Sequence, residues 1–222
     1  MIHFITLQRG DAEILKKWVS AFNLCYIPHG SIVSVVIDKE KVSNEIINAV
    51  EEIKTMAEIV LDDGFHPSNN DKESREYNIE KSRFVAEKNS TYSLLHDKDL
   101  TCFWNDDVLA TDFKTVVNCA DNIGGRIVAS VGLYPEREDP STSLVRRKGN
   151  RSKYSLEELS GKREYVFCGS PGFSFYSTKY LKEILPIVDW REAMDTSFYI
   201  GLRMEDDGKS CMCDGRIILD HK

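Results

Sequence analysis

Short apolar runs alternate with amphipathic stretches through the first half of the chain. The runs are rich in β-branched and aromatic residues and cover 2–7, 31–37, 57–61 and 100–104. Between them, apolar residues recur at the spacing of a helix face after Asp11, after Ser43 and over 73–88. Continuous apolar strands alternating with amphipathic helices predict a parallel sheet that is covered by helices on both faces.

The second half of the chain has a weaker pattern. It predicts helices over 112–120, 179–185 and 195–203 and strands over 126–133, 173–176 and 216–219. From Pro135 to Glu164 the chain is polar and charged, and only 155–159 has the pattern of a short helix. A run of that length is typical of a functional or disordered loop. We therefore expect a single α/β domain over residues 1–222 with a flexible loop at about 135–164.

Acidic side chains follow three of the predicted strands. Asp38 follows the second strand, Asp62 and Asp63 follow the third, and residues 105–107 follow the fourth. In parallel α/β sheets ligands bind beyond the carboxyl ends of the strands, so these side chains are expected at one edge. A single Asp after a strand is commonly a turn or a helix cap, and this alternative stays open for Asp38 and for Asp62.

Composition and charge narrow the classes of function. The 222 residues have a formal net charge of −7, which argues against a general nucleic-acid binder despite a basic cluster over 146–153. No apolar run approaches the ~20 residues of a membrane span, and the amino terminus lacks a signal-peptide pattern, so we expect a soluble, cytoplasmic protein. The six cysteines are scattered, and only Cys211 and Cys213 are closely spaced. Without a Cys-x-x-Cys pair or a His pair elsewhere, they predict buried, reduced thiols rather than a zinc site.

The order of these features resembles the GT-A glycosyltransferases of the family-two type. Strand–helix units lead to a hydrophobic strand that ends in an acidic motif, and a Gly-containing loop, an Asp opening a helix and a strand ending in His follow. The resemblance covers essentially the whole chain and rests on the order and spacing of short motifs. It implies a Rossmann-like domain whose mostly parallel central sheet is flanked by helices. Residues 1–110 would bind a nucleotide-sugar and 111–222 the acceptor.

In that family an acidic motif, usually DxD, holds a divalent cation against the diphosphate of the donor. The matching segment ends in Asn105, Asp106 and Asp107, with Asn105 in place of the first Asp. The resemblance implies that Asp107 and the late His221 bind Mn²⁺ or Mg²⁺, while Asn105 and Asp106 contact the ribose or a metal-bound water. Such a cation neutralises the charge that develops on a departing diphosphate. The alternatives are a strand-ending turn for 105–107 and a mobile tail for His221.

The resemblance assigns further side chains to the donor. They are Thr6, Leu7, Arg9, Asp38 and Arg83. The three that end or follow the first strand would pack on the base, Asp38 would hydrogen-bond the uracil or ribose, and Arg83 would reach the diphosphate or ribose. An ion pair of Arg83 with Glu80 or Glu87 is an equal alternative.

The acceptor half contains the expected catalytic base. Asp195 opens a late helix and resembles the Asp that removes the acceptor proton in inverting members, although Asp189 is a rival and a helix cap is the structural alternative. Gly169, Ser170 and Trp190 resemble the loop and the stacking residue of the acceptor and sugar pocket.

Together these features predict a metal-dependent glycosyltransferase. It would move a sugar from a nucleotide-diphosphate donor, expected to be a UDP-sugar, to a hydroxyl of a glycan or another acceptor, with inversion. Two alternatives are a sugar-phosphate nucleotidyltransferase and a non-catalytic nucleotide-sugar-binding module. The first usually requires a Gly-rich basic loop after the first strand, and residues 8–11 contain one Gly and no Lys. The sequence does not indicate the acceptor, the sugar or the oligomeric state.

Overall fold

A computed structural model of the chain describes residues 1–133, 141–145, 153–167, 172–185 and 196–221. Its strands are β1 Ile2–Gln8, β2 Ile32–Asp38, β3 Met56–Asp62, β4 Leu100–Trp104, β5 Val108–Ala110, β6 Ile127–Leu133, β7 Ser141–Val145, β8 Lys153–Ser155, β9 Arg163–Val166, β10 Phe173–Ser177 and β11 Ser210–His221. Its helices are α1 Ala12–Leu24, α2 Asn44–Glu51, α3 Arg75–Ser93, α4 Thr115–Asp121, α5 Leu156–Leu159, α6 Thr178–Ile184 and α7 Thr196–Asp206.

One nine-stranded sheet organises the described residues. Its order is β3-β2-β1-β4-β10-β6-β11-β5, with β9 paired to β11 beside this path, while β7 and β8 form a separate hairpin. The register pairs give β1, β2, β3, β4, β6 and β11 the same direction, and β5, β9 and β10 the opposite one. The predicted α/β class, with a mostly parallel central sheet flanked by helices, is confirmed.

Two apolar cores, one on each side of the sheet, hold the layers together. Helices α1, α2 and α4 contribute to one core and α3, α6 and α7 to the other. In the first core the indole of Trp104, at the end of β4, lies 5.5 Å from that of Trp18 and 5.6 Å from the ring of Phe22. All three side chains are fully buried, so the last residue of β4 is fixed by packing from α1.

The predicted elements are most accurate in the first half of the chain. The strand predicted over 100–104 is β4, but α3 continues to Ser93, beyond the predicted end at residue 88. Its last turn buries Asn89, Ser90 and Ser93 beside Tyr92, and small polar residues do not register as an apolar helix face. No helix in the described part of the chain is long and apolar enough to cross a bilayer.

The second half contains more strands than its pattern predicts. The strand predicted over 216–219 is only the end of β11, which begins at Ser210 and buries Cys211 and Cys213 as alternate residues. The predicted loop at 135–164 contains β7, β8, α5 and the start of β9 where it is described. These strands are short, so their two-residue period repeats too few times to be recognised.

Candidate active site

The acidic motif lies in a tight turn between β4 and β5. The indole Nε1 of Trp104 donates to the carbonyl of Val108 at 2.7 Å, and the N–H of Val108 donates to the carbonyl of Asn105 at 3.3 Å. The N–H of Asn105 donates to the carbonyl of Gly172, just before β10, at 2.8 Å. Residues 105–107 therefore form a turn at the end of β4. Its backbone is hydrogen-bonded to the first residue of β5 and to the residue before β10.

Arg9 brings the two carboxylates of this turn together. Its Nη2 lies 2.6 Å from Asp107 Oδ2 and 3.2 Å from Asp106 Oδ1. Its backbone N–H also donates to Asp106 Oδ2 at 3.3 Å. The contact follows from the sheet order, because β1 and β4 are parallel neighbours and their carboxyl ends meet. We call the group of Arg9, Asp106 and Asp107 the corner. In it the positive guanidinium lies between two carboxylates.

Burial divides the two carboxylates into different roles. The side chain of Asp106 is 3% exposed and that of Asp107 is 22% exposed. Burial raises the pKa of Asp106 above its ordinary value, and the charge of Asp107 adds to the rise while Arg9 opposes it. Asp106 is therefore the enclosed partner of Arg9 in the turn, and Asp107 is the more exposed one.

The terminal strand reaches the same corner. Strand β11 pairs antiparallel with β5, and His221 is opposite Val108, the residue that follows Asp107. The backbone of His221 therefore lies in an ordered strand beside the acidic turn rather than in a tail.

The carboxylate at the end of β2 has a structural partner on each side. Asp38 Oδ1 accepts from the N–H of Glu40, so Asp38 caps the short 3₁₀ helix at Lys39–Lys41. Its Oδ2 lies 3.8 Å from Lys41 Nζ. The helix cap, which the sequence analysis gave as the alternative role of Asp38, is therefore present. Asp38 remains half-buried at the carboxyl edge of the sheet, two strands from the acidic turn.

Asp62, at the end of β3, ties the sheet to α3. It accepts hydrogen bonds from the hydroxyl of Tyr92, from Lys88 Nζ at 2.9 Å and from the N–H of Gly64 at 3.2 Å. Burial raises its pKa, but the bonds from Tyr92 and Lys88 outweigh this, so the pKa lies below its ordinary value. Asp62 therefore has a structural role, which is to join the end of β3 to α3.

The sequence analysis missed Gln8, the polar residue that ends β1. Thr6 is fully buried and its Oγ1 accepts from Gln8 Nε2 at 2.7 Å, while Leu7 is half-buried against the α3-side core. The buried Oε1 of Gln8 has no hydrogen-bond partner among the described residues. A polar side chain closing an apolar strand was the only signal for it in the sequence.

Arg83 does not form the hydrogen-bonded ion pair that the sequence left open. Glu80 instead accepts from the backbone N–H of Ser68 at 2.8 Å and from its hydroxyl. Within the described residues Arg83 has no carboxylate in ion-pair contact, and its buried Nε has no hydrogen-bond partner. The residue lies on α3, the helix that also reaches the end of β3 through Lys88 and Tyr92.

Several predicted residues lie outside the described part of the chain. They are Gly169, Ser170, Asp189, Trp190 and Asp195. Tyr176, an aromatic residue of β10, is 1% exposed with its ring 5.5 Å from that of Phe103. It belongs to the core.

No protein-family model matches the sequence, and no curated protein matches it. Solved structures do resemble the chain. The mannosyltransferase PcManGT from Pyrobaculum calidifontis, in complex with GDP-Man and Mn²⁺, aligns over 98% of this chain and 55% of its own with a TM-score of 0.63 at 10% identity. S. aureus TarS in complex with UDP-GlcNAc aligns over 98% of this chain and 57% of its own, with a TM-score of 0.57 at 11% identity. A197 from STIV aligns over 100% and 85%, with a TM-score of 0.53 at 11% identity.

The chain has a GT-A-like fold. The chain spans a little over half the length of the PcManGT chain and of the TarS 1–349 chain. At this identity the comparison shows the fold, and the role of each side chain has to be argued from its own contacts.

A substitution at Gly64 tests the packing at the β2 and β3 ends. Gly64 has a φ of +77°, and a Cβ there would lie 2.4 Å from Asp38 Oδ2. Gly125 has a φ of +59° with nothing within 4 Å of its Cβ position, so Gly125→Ala is a matched control. Both substitutions place Ala in the left-handed region, at about 1–2 kcal/mol. Only Gly64→Ala also displaces the Asp38 cap, worth about 0.5–2 kcal/mol more.

Urea unfolding of both variants measures how much each substitution lowers the free energy of unfolding. We expect Gly64→Ala to lower the free energy of unfolding more than Gly125→Ala does. Equal losses in the two variants would show that Asp38 is not held against Gly64.

Proposed function

We propose that the protein is a metal-dependent glycosyltransferase that moves a sugar from a nucleoside-diphosphate donor to a hydroxyl of a glycan or other acceptor. The observation that carries the proposal is the corner at the β4 end, where Asp106 and Asp107 meet Arg9 beside the strand position of His221. Nothing in the fold of a parallel sheet requires two adjacent carboxylates and a counter-charge at this place. The GT-A-like fold of the described residues supports the same class.

The residues of the corner fit a divalent cation. Carboxylate oxygens are the ligands that Mg²⁺ and Mn²⁺ prefer, and an imidazole beside them suits Mn²⁺. The two carboxylates favour a positive charge between them, and in the ligand-free chain the guanidinium of Arg9 takes that place. Asp107 and His221 would hold the ion, with Asn105 and Asp106 touching the ribose or a metal-bound water. When bound, the ion supplies positive charge to the departing diphosphate.

Arg9 has a second role in this proposal. In the ligand-free chain it neutralises Asp107, and in the donor complex it pairs with the diphosphate instead. Guanidinium groups form paired hydrogen bonds with phosphate oxygens, so the exchange replaces one charged partner with another. Arg83, whose Nε has no partner among the described residues, would donate to the diphosphate or ribose from the opposite side.

Donor recognition at the β1 and β2 ends would set the base. Thr6 and Leu7 would lie beneath the base, and Asp38 would accept from the uracil or ribose. The unpartnered Oε1 of Gln8 is an acceptor for the ring N–H that neutral uracil and guanine have and neutral cytosine and adenine lack. We infer a UDP-sugar as the donor. GDP-mannose and UDP-GlcNAc, the ligands in the PcManGT and TarS structures, share this ring N–H.

The acceptor half would supply the base that starts the reaction. Asp195 would take the proton of the acceptor hydroxyl while its oxygen attacks the anomeric carbon and the bond from that carbon to the diphosphate breaks. Attack from the side opposite the leaving group inverts the anomeric configuration. Gly169, Ser170 and Trp190 would form the pocket that holds the sugar and the acceptor. Residues 1–110 thus bind the donor and 111–222 the acceptor.

Replacing Asp107 tests the role of the acidic turn. We expect Asp107→Ala to remove Mn²⁺-linked UDP binding and to lower turnover of the UDP-sugar by a factor of about 10² or more, because losing one preorganised charge contact commonly costs about that much. The measurements are calorimetric titration of UDP with and without Mn²⁺, and UDP release from a panel of UDP-sugars. Asp63→Asn is the control, because Asp63 is an exposed carboxylate after β3 and its side chain pairs only with Lys39 among the described contacts.

Unchanged turnover in Asp107→Ala would remove the assigned role. Pyrophosphate released from a nucleoside triphosphate and a sugar phosphate would favour the nucleotidyltransferase. UDP-sugar binding without transfer or hydrolysis would favour a binding module.

Replacing Arg9 separates its two roles. Arg9→Gln removes the charge that competes with a metal ion at Asp107, so we expect Mn²⁺ alone to bind more tightly than to the wild type. The same variant lacks the partner of the diphosphate, so turnover should fall. Mn²⁺ titration followed by electron paramagnetic resonance measures the first effect, and UDP release measures the second. Weaker Mn²⁺ binding in a folded Arg9→Gln variant would contradict the exchange.

A further inference from the structure

A cluster of two histidines and a glutamate lies at the edge of the sheet opposite the candidate active site. His3 is near the start of β1, Glu58 near the start of β3, and His96 lies between α3 and β4. One ligand atom from each residue lies within 4.8 Å of the others. His3 and Arg9 are six residues apart along an extended strand, which places the cluster roughly 20 Å from the acidic turn.

Hydrogen bonds define the protonation of the cluster. Ser34 Oγ donates to Glu58 Oε1 at 2.6 Å and lies 2.8 Å from His3 Nε2. A serine hydroxyl has one proton, so the ring nitrogen of His3 must donate to Ser34. A neutral imidazole that donates from Nε2 carries a lone pair on Nδ1. Burial, with a smaller contribution from the charge of His96, lowers the pKa of His3 to about 4, which favours this neutral ring.

That lone pair accepts no hydrogen bond from the described residues. His3 is fully buried, and its Nδ1 has no hydrogen-bond partner among the described residues. Buried polar atoms are nearly always paired, so an orphan nitrogen beside two other ligand groups needs an explanation. His96 Nε2 lies 2.6 Å from the same Glu58 Oε1 that Ser34 approaches, and the two imidazole rings are 4.7 Å apart, edge to face.

We propose that His3, Glu58 and His96 form a binding site for Zn²⁺ that joins β1 and β3 to the segment entering β4. Two imidazoles and a carboxylate with an open fourth position are an established zinc ligand set. Ligands bound at about 2.1 Å in a tetrahedron are about 3.4 Å apart. The wider separations in the cluster therefore have to shrink by at most about 1.4 Å, while His96 Nε2 and Glu58 Oε1, which are 2.6 Å apart, move slightly apart.

The geometry allows this contraction. The side chains of His96 and Glu58 are 26% and 37% exposed, so they can turn and solvent can supply a fourth ligand. The hydrogen bond from Ser34 to Glu58 Oε1 holds the carboxylate in place, as partners of metal ligands do. The softer imidazole donors favour Zn²⁺ here over the Mn²⁺ or Mg²⁺ that carboxylates favour at the other edge.

Thermal unfolding of the untagged, chelator-treated full chain with added Zn²⁺ tests the site. We expect the Tm to rise by roughly 5–10 °C when Zn²⁺ reaches about a hundredfold excess over its Kd. His96→Gln should weaken Zn²⁺ binding at least tenfold, and His29→Gln, at an exposed histidine outside the cluster, should leave it unchanged. Asp107→Asn should also leave it unchanged, which separates this site from the candidate active site.

Substitution by Co²⁺ identifies the ligands on the folded wild type. Nitrogen and oxygen ligands in a tetrahedron predict visible d–d bands without a near-ultraviolet thiolate charge-transfer band. A thiolate band, no Zn²⁺-dependent Tm rise, or wild-type Zn²⁺ affinity in both His96→Gln and Glu58→Gln would overturn the proposal. Glu58→Gln provides the second variant should His96→Gln not fold.

Discussion

The contact of Arg9 with Asp106 and Asp107 is the interaction on which the candidate active site depends. Two adjacent carboxylates, one of them buried, repel each other and are costly to desolvate unless a positive charge lies close by. The sheet order supplies that charge, because β1 and β4 are parallel neighbours and the residue after β1 reaches the turn after β4. The same order sets β11 against β5, which brings His221 opposite Val108. The corner is thus a product of strand pairing rather than of any one motif.

The first half of the fold could be predicted because its signals are local. Strand β4 is a continuous apolar run, and α1 begins after a capping Asp11 whose carboxylate accepts from the N–H groups of Glu13 and Ile14. Parallel strands all end at one edge, so the place of Asp38 and Asp107 at that edge follows from the element order alone. Short strands such as β8 and β9 escape this reasoning, since their period repeats only once or twice.

Partners far apart along the chain could not be predicted. Arg9 and Asp107 are separated by 98 positions, and the sequence assigned Arg9 to the base rather than to the acidic turn. Asp38 and Asp62 look alike as strand-ending acids, yet only Asp62 is held by Lys88 and Tyr92 of α3.

The histidine cluster escaped notice for the same reason. A search for closely spaced His and Cys residues does not join His3 to His96. The two edges of the sheet therefore offer different ligand sets, oxygen-rich at the carboxyl ends and nitrogen-rich at the amino ends.

The most direct measurement is anomalous diffraction from a crystal of the full chain grown with Mn²⁺ and UDP. The proposed exchange of Arg9 for a divalent cation predicts a manganese peak about 2.1 Å from a carboxylate oxygen of Asp107, with the Arg9 guanidinium moved to a phosphate oxygen. Bound UDP with Arg9 still on Asp107 and no manganese peak at the β4 end would contradict it.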